Sequence, residues 1–154
     1  MARQYLKMDI IRELREHDIM PTHQRMEIFK VLFAKPQHLS ADQVLEKVNK
    51  FDALVSKATV YNTLGLFARK GLVREVIVDP SKIFYDPTTT PHHHIYNVDT
   101  GTLTDLDIEE LDMGAIPAPP EGTRIEGVDV VIRVRSNDSS TTDINSRQTA
   151  SAIE

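Results

Sequence analysis

Residues 56–70, SKATVYNTLGLFARK, followed at once by Gly71, decide the fold. Ser56 can cap a helix, because its hydroxyl accepts from an amide two or three residues on, and Gly71 supplies the left-handed residue that ends one. A helix of about fifteen residues is predicted. Within it Val60, Leu64 and Phe67 recur at spacings of four and three and form the buried stripe. Lys57, Thr59, Tyr61 and Asn62 are left near the open N-terminal turns, which is how a recognition helix presents side chains to bases.

Working outward, the preceding chain reads as three more helices. Leu6, Ile10, Ile11 and Leu14 form an apolar stripe between Arg3 and Asp18, closed by Pro21. A second helix begins after Thr22, with Met26, Phe29, Val31, Leu32 and Phe33 toward a core, and ends at Lys35-Pro36. In the third, Ser40 and Gln43 have capping-box spacing, and Val44, Leu45 and Val48 form the apolar face. After Gly71 the period changes to two. LVREVIVD and KIFYD, separated at Asp79-Pro80-Ser81, predict a hairpin. Helices followed by a hairpin make a winged helix-turn-helix, in which the recognition helix enters the major groove and the wing follows the backbone. A helical protein-interaction module is the competing reading of the same elements.

Charge divides the chain in the same way. The net charge of -5 argues against nucleic acid, yet residues 1–90 carry 14 Lys and Arg against 11 Asp and Glu, and residues 91–154 carry 4 against 12. Only the first part suits phosphate. With 154 residues, 40% of them apolar, the chain can bury one large core or two small ones. Cysteine is absent, so any metal must be held by His, Asp and Glu. No apolar run approaches the ~20 residues of a membrane span, and the charged N-terminus does not read as a signal peptide. A soluble, cytoplasmic protein with no membrane association is expected.

A second module opens at Pro91. HHHIYNVDTGTLTDL predicts two strands around Asp99-Thr100-Gly101. Strand parity puts His92 and His94 on one face and His93 on the other, with Asp105 on the return strand, most of a metal site. EGVDVVIRVR, residues 126–135, reads as a further strand with Val128, Val130, Ile132 and Val134 on one side. So small a segment has trouble burying its own core, which predicts homodimerisation through the sheet. LDMGAIPAPPEG is a Pro-rich connection, and SNDSSTTDINSRQTASAIE, rich in Ser and Thr and without aromatics, predicts a disordered tail. The expected class is α+β: a winged-helix DNA-binding domain over residues 1–86, a small α/β metal-binding and dimerisation domain over 87–136, and a tail over 137–154.

THQRMEIFKVLF, HLSADQVL, VSKATVYNTLGLFARKGLV and PHHHIYNVDTG together resemble the ferric uptake regulator family of metal-dependent transcriptional repressors, over about residues 10–135. Within it the chain resembles the iron response regulator branch, on three grounds: Asn62 directly after Tyr61, no cysteine pairs, and a Pro-rich link before VDVVIRVR. The resemblance implies a homodimer on an A·T-rich double-stranded operator. In it Tyr61 would touch thymine methyls, Asn62 an adenine edge, and Arg25, Lys57 and Thr59 the phosphates.

The resemblance also implies a regulatory site at His38, Asp79, His92, His94 and Asp105, suited to Fe(II), Mn(II) or Zn(II). Ligands from both modules would let the metal set the angle between them and hence the DNA affinity. Asp rather than Glu among the carboxylates matches the peroxide-sensing branch, which binds Fe or Mn and represses oxidative-stress genes. The iron response branch controls iron and haem genes and is associated with haem, with His92, His93 and His94 as candidate axial ligands. The family's four-cysteine zinc site cannot form here. An enzyme is disfavoured: His92-x-His94 with Asp99 faintly resembles a cupin iron motif, but no His follows His94 to complete it, and no catalytic triad or phosphate loop occurs.

Overall fold

A computed structural model of the chain describes residues 4–52 and 54–137. Four helices come first: α1 (Lys7–Glu16), α2 (His23–Phe33), α3 (Ala41–Val48) and α4 (Lys57–Arg69). Their starts follow local chemistry. The Thr22 hydroxyl accepts from the Arg25 amide, and the Ser56 hydroxyl from the Thr59 amide. At α3 the capping box is complete: Ser40 Oγ accepts the Gln43 amide, and Gln43 Oε1 accepts the Ser40 amide at 2.9 Å. Past α4 the chain turns at Gly71 with φ +75°, where a Cβ would be strained. Between α3 and α4 the Asn49 carboxamide accepts from the Leu54 and Val55 amides and donates to the Val55 carbonyl, which fixes the turn.

The helices bury one continuous core that includes Ile10, Leu14, Ile28, Phe29, Leu32, Val44, Val60, Leu64 and Phe67. The predicted stripe of α4 is present, joined by Thr63. Two expectations change. Leu6 precedes α1 and is 72% exposed, and Ile28, outside the predicted face of α2, is fully buried. Ile28 packs because the core wraps round more of α2 than a single stripe.

Two antiparallel strands, β2 (Arg74–Asp79) and β3 (Lys82–Asp86), form the hairpin expected to be the wing. A two-residue strand β1 (Leu39–Ser40), not expected from the sequence, pairs with β3 to give the order β1-β3-β2. This short pairing matters because it ties the segment holding His38 to the strand that ends at Asp86.

The second sheet is β4 (His93–Asn97), β5 (Thr102–Leu106) and β6 (Val131–Val134), in the order β5-β4-β6. β4 and β5 are the predicted hairpin, whereas β6 runs parallel to β4 after a long connection. The strand expected over 126–135 is thus shorter. The expected α/β character also needs correction. The only helical turn described after residue 87 is the 3₁₀ turn Ile108–Glu110. Pro117, Pro119 and Pro120 remove the amide donors that a helix would need there. The predicted tail lies outside the described residues apart from its first, Asn137.

The two sheets share a small core of Val76, Val78 and Phe84 from the wing with Tyr96 and Leu103, flanked by Val98 and Val131. Arg74 pairs with Asp129, and the Arg133 guanidinium donates to the Val78 carbonyl, so polar contacts reinforce the same junction. The face of β6 carrying Val131 is turned inward. Ile132 and Val134, on the other face, remain 37% and 36% exposed.

Candidate functional site

Where the wing meets the second sheet, five side chains converge. His38 lies just before β1, Asp86 ends β3, His92 precedes β4, His94 is within β4, and Asp105 lies on β5 directly opposite His94. One donor atom from each falls within 4.8 Å of all the others. An ion held at ~2.1 Å from its ligands separates opposite donors by about 4.2 Å, so the cluster has the size of a single-ion site. His38 Nε2 is 2.9 Å from Asp86 Oδ2 and 2.8 Å from Asp105 Oδ1. His92 Nε2 is 2.8 and 3.0 Å from the same two oxygens, and His94 Nε2 3.5 and 3.6 Å.

The chemistry of the donors fits an ion. His38 Nε2 is buried and has no aligned hydrogen bond despite its short distances to two carboxylates. Proximity without alignment is expected of lone pairs turned toward a shared centre. His92 Nδ1 lies 2.7 Å from the Thr90 carbonyl, an acceptor only, so this nitrogen donates and Nε2 is the atom left to face the carboxylates and any shared ion. Asp86 is similarly oriented: its Oδ1 accepts the Thr88 amide at 2.8 Å, leaving Oδ2 for the imidazoles.

Without an ion, the charges of these groups compensate each other. Burial alone would raise the Asp86 pKa, but the close imidazoles of His38 and His94 and the bond from the Thr88 amide hold it far below the usual carboxylate range. Burial pulls His38 down, and the Asp86 and Asp105 carboxylates outweigh it, so its pKa is raised. A buried carboxylate facing three imidazoles is a donor set that could hold a cation.

Four of the five residues expected for this site are therefore brought together, and one is not. Asp79 stands at the end of β2, where its Oδ1 accepts from the Ser81 amide at 2.8 Å and the Ser81 hydroxyl at 2.6 Å. It closes the wing turn; Asp86 takes the place expected for it. The missed signal was Asp86-Pro87-Thr88, an acid at a strand end whose carboxylate caps the next turn. His93 faces away as parity requires, buried, with Nδ1 accepting the Val130 amide at 3.3 Å.

A second surface lies on the helices. Arg25, Thr59 and Asn62, with Thr22, Gln24 and Thr63, line a cleft of about 310 Å³. Arg25 donates to the Met20 carbonyl at 2.9 Å, and Ser56 Oγ donates to Thr59 Oγ1 at 2.9 Å. Tyr61 and Lys57 do not line this cleft but lie on the same N-terminal turns of α4. Tyr61 is 44% exposed and not part of the core, with the Lys57 ammonium 5.7 Å from its ring centroid. All five residues expected at the nucleic-acid face are thus on the N-terminal side of α4 or the start of α2.

The model of the ferric uptake regulator family matches residues 16–131, most of the chain. The chain belongs to the ferric uptake regulator family. The peroxide-responsive repressor PerR of Staphylococcus saprophyticus is 32% identical over 104 residues, 68% of this chain and 70% of that protein. PerR of Staphylococcus aureus strain Mu50 is 30% identical over 102 residues, 66% of this chain and 69% of its own. Among solved structures, the ferric uptake regulator of Pseudomonas aeruginosa with manganese is 26% identical, with a TM-score of 0.60 over 82% of this chain and 97% of that one. The Vibrio cholerae ferric uptake regulator shares the fold at 19% identity, with a TM-score of 0.66 over 83% and 100%.

As a member of the ferric uptake regulator family, this chain is a metal-responsive regulator rather than an enzyme. Its His and Asp cluster could hold the metal. No helix among the described residues is long and apolar enough to cross a membrane.

Proposed function

We propose that the protein is a homodimeric transcriptional repressor whose affinity for A·T-rich operator DNA is set by Fe(II), Mn(II) or Zn(II) at His38, Asp86, His92, His94 and Asp105. The observation that carries this reading is the origin of the donors. His38 and Asp86 come from the winged-helix half, and His92, His94 and Asp105 from the second sheet. An ion gripping both halves stabilises one relative orientation, and in a dimer that orientation sets the spacing of the two α4 helices. Bases would be read by Tyr61 and Asn62, with Lys57, Thr59 and Arg25 on the phosphates. The exposed apolar residues Ile132 and Val134, with Val128 at 39%, support a dimer built on β6.

For the signal, peroxide is favoured over the iron and haem reading of the iron response branch. Both carboxylates in the cluster are Asp, and the curated relatives described above are peroxide-responsive repressors. Haem suits the cluster less well. The Nε2 atoms of His92 and His94 face carboxylates, and His93 is buried with its Nδ1 accepting the Val130 amide, so all three imidazoles are held in the protein interior and not toward a porphyrin-sized opening.

The test begins by selecting a duplex from a random pool with Mn(II)-loaded protein and measuring affinity by fluorescence anisotropy, with Mn(II) and with chelator. Strong metal dependence in the wild type and none in Asp86→Ala is expected. Equal affinity with and without metal in the wild type would sink the proposal. Adding peroxide to the Fe(II) form then separates the signals: loss of DNA binding, spared in the Mn(II) form, supports peroxide sensing, whereas release by haemin alone supports the haem reading.

A further inference from the structure

The DNA-facing side of this fold carries a residue that its charge should exclude. Asp42, the second residue of α3, is exposed beside α4, and its Oδ1 accepts the Tyr61 hydroxyl at 3.1 Å. A carboxylate on a surface that approaches phosphates is repelled by them and weakens binding to any sequence. Its position needs a compensating role, and the contact with Tyr61 supplies one.

We propose that Asp42 is a positioning residue for sequence reading, holding the Tyr61 ring in the orientation in which it meets a base. This rests on Tyr61 being the base-contacting residue of the proposed function. Tyr61 has two rotatable bonds and little packing of its own, since it is 44% exposed. Two neighbours constrain it. Asp42 of α3 fixes the hydroxyl end, and Lys57, one turn back on α4, lies over the ring at 5.7 Å. With both in place the ring is ordered before DNA arrives, and ordering a free side chain on binding is a cost that preorganisation removes.

The contact has a consequence that charge alone cannot produce. Asp42→Asn and Asp42→Ala both remove the negative charge, but only asparagine keeps an oxygen that can accept the Tyr61 hydroxyl. The difference between the two variants isolates positioning from electrostatics.

The experiment measures affinity of the Mn(II)-loaded full chain for the selected duplex, for the same duplex with thymines replaced by deoxyuridine, and for unrelated DNA. Both Asp42 variants should bind unrelated DNA more tightly than the wild type. Asp42→Asn should keep the wild-type preference for the selected duplex and its sensitivity to loss of the thymine methyls. Asp42→Ala should lose roughly three- to tenfold of that preference, the scale of freeing one side chain, with much of the methyl sensitivity. Tyr61→Phe, which removes the hydroxyl and leaves α3 and its charge untouched, should lose the same preference and methyl sensitivity as Asp42→Ala, and combining the two should lose no further preference. Equal preference and equal methyl sensitivity in Asp42→Asn, Asp42→Ala and Tyr61→Phe would overturn positioning while leaving the DNA-reading role of Tyr61 intact. If Tyr61→Ala itself keeps full preference, the underlying reading fails and the positioning role falls with it.

Discussion

The two halves of the chain are built on different terms. The helical half encloses a core of large side chains, Phe29, Phe67, Ile10, Ile28, Leu14, Leu32 and Leu64 among them, all essentially buried. Beyond residue 87 the second sheet contributes Tyr96 and Leu103 to a core it shares with the wing, and leaves Ile125, Val128, Ile132 and Val134 exposed. One half supplies its own stability. The other is completed by the hairpin it is docked to and, in the proposed function, by an ion between the halves and a second copy. A sensor benefits from this inequality, because the part whose position must change is the part whose docking is conditional.

The comparison can be broken most directly by cavities. Phe67→Ala should cost about 3–5 kcal/mol and unfold the helical half, whereas Leu103→Ala, in the thin shared core, should cost about 2 kcal/mol. Urea unfolding followed by helical circular dichroism measures both. Equal losses would mean that the second half is no less self-sufficient than the first.

Metal gives the next effect. Mn(II) at about 100 times its dissociation constant should stabilise the folded chain by ~2.7 kcal/mol, seen as a raised unfolding temperature. Asp86→Ala should abolish the rise and weaken Mn(II) binding by more than ~100-fold, while Asp79→Ala should retain both. The reverse outcome would return Asp79 to the site and remove Asp86 from it.

Association sharpens the contrast from the other side. Ile132→Asp should give a monomer in sedimentation while leaving the helical signal unchanged, because β6 is exposed in one copy and remote from the helical core. A dimer that survives this change is not built on β6. The smallest effect belongs to the charged tie between the halves. Arg74→Ala removes the partly exposed pair with Asp129, and a loss of at most ~1 kcal/mol, shrinking further in high salt, is expected. A larger loss would make the junction polar in origin and not apolar.

Much of this was legible because it is local. The starts of α3 and α4 follow from Ser40 with Gln43 and from Ser56, the end of α4 from Gly71, and the shared face of His92 and His94 from strand parity alone. Tyr61 on an open turn of α4 follows from the buried stripe of Val60, Leu64 and Phe67. The choice between Asp79 and Asp86 was not legible. Both acids end wing strands, and only the pairing of β1 with β3 shows which of them is brought beside His38. The contact of Asp42 with Tyr61 was hidden for the same reason, since it joins two helices whose packing angle no residue spacing records.

The sequence by itself determined the four helices, the two hairpins, their order and the imidazole pair, because caps, periodicity and turn chemistry act within a few residues. Only the tertiary structure decided which carboxylate completes the cluster, which face of β6 turns inward, and that the wing and second sheet share a core. Those outcomes rest on contacts between residues far apart in the chain, where close packing and burial of charge select among arrangements that local preferences leave equal.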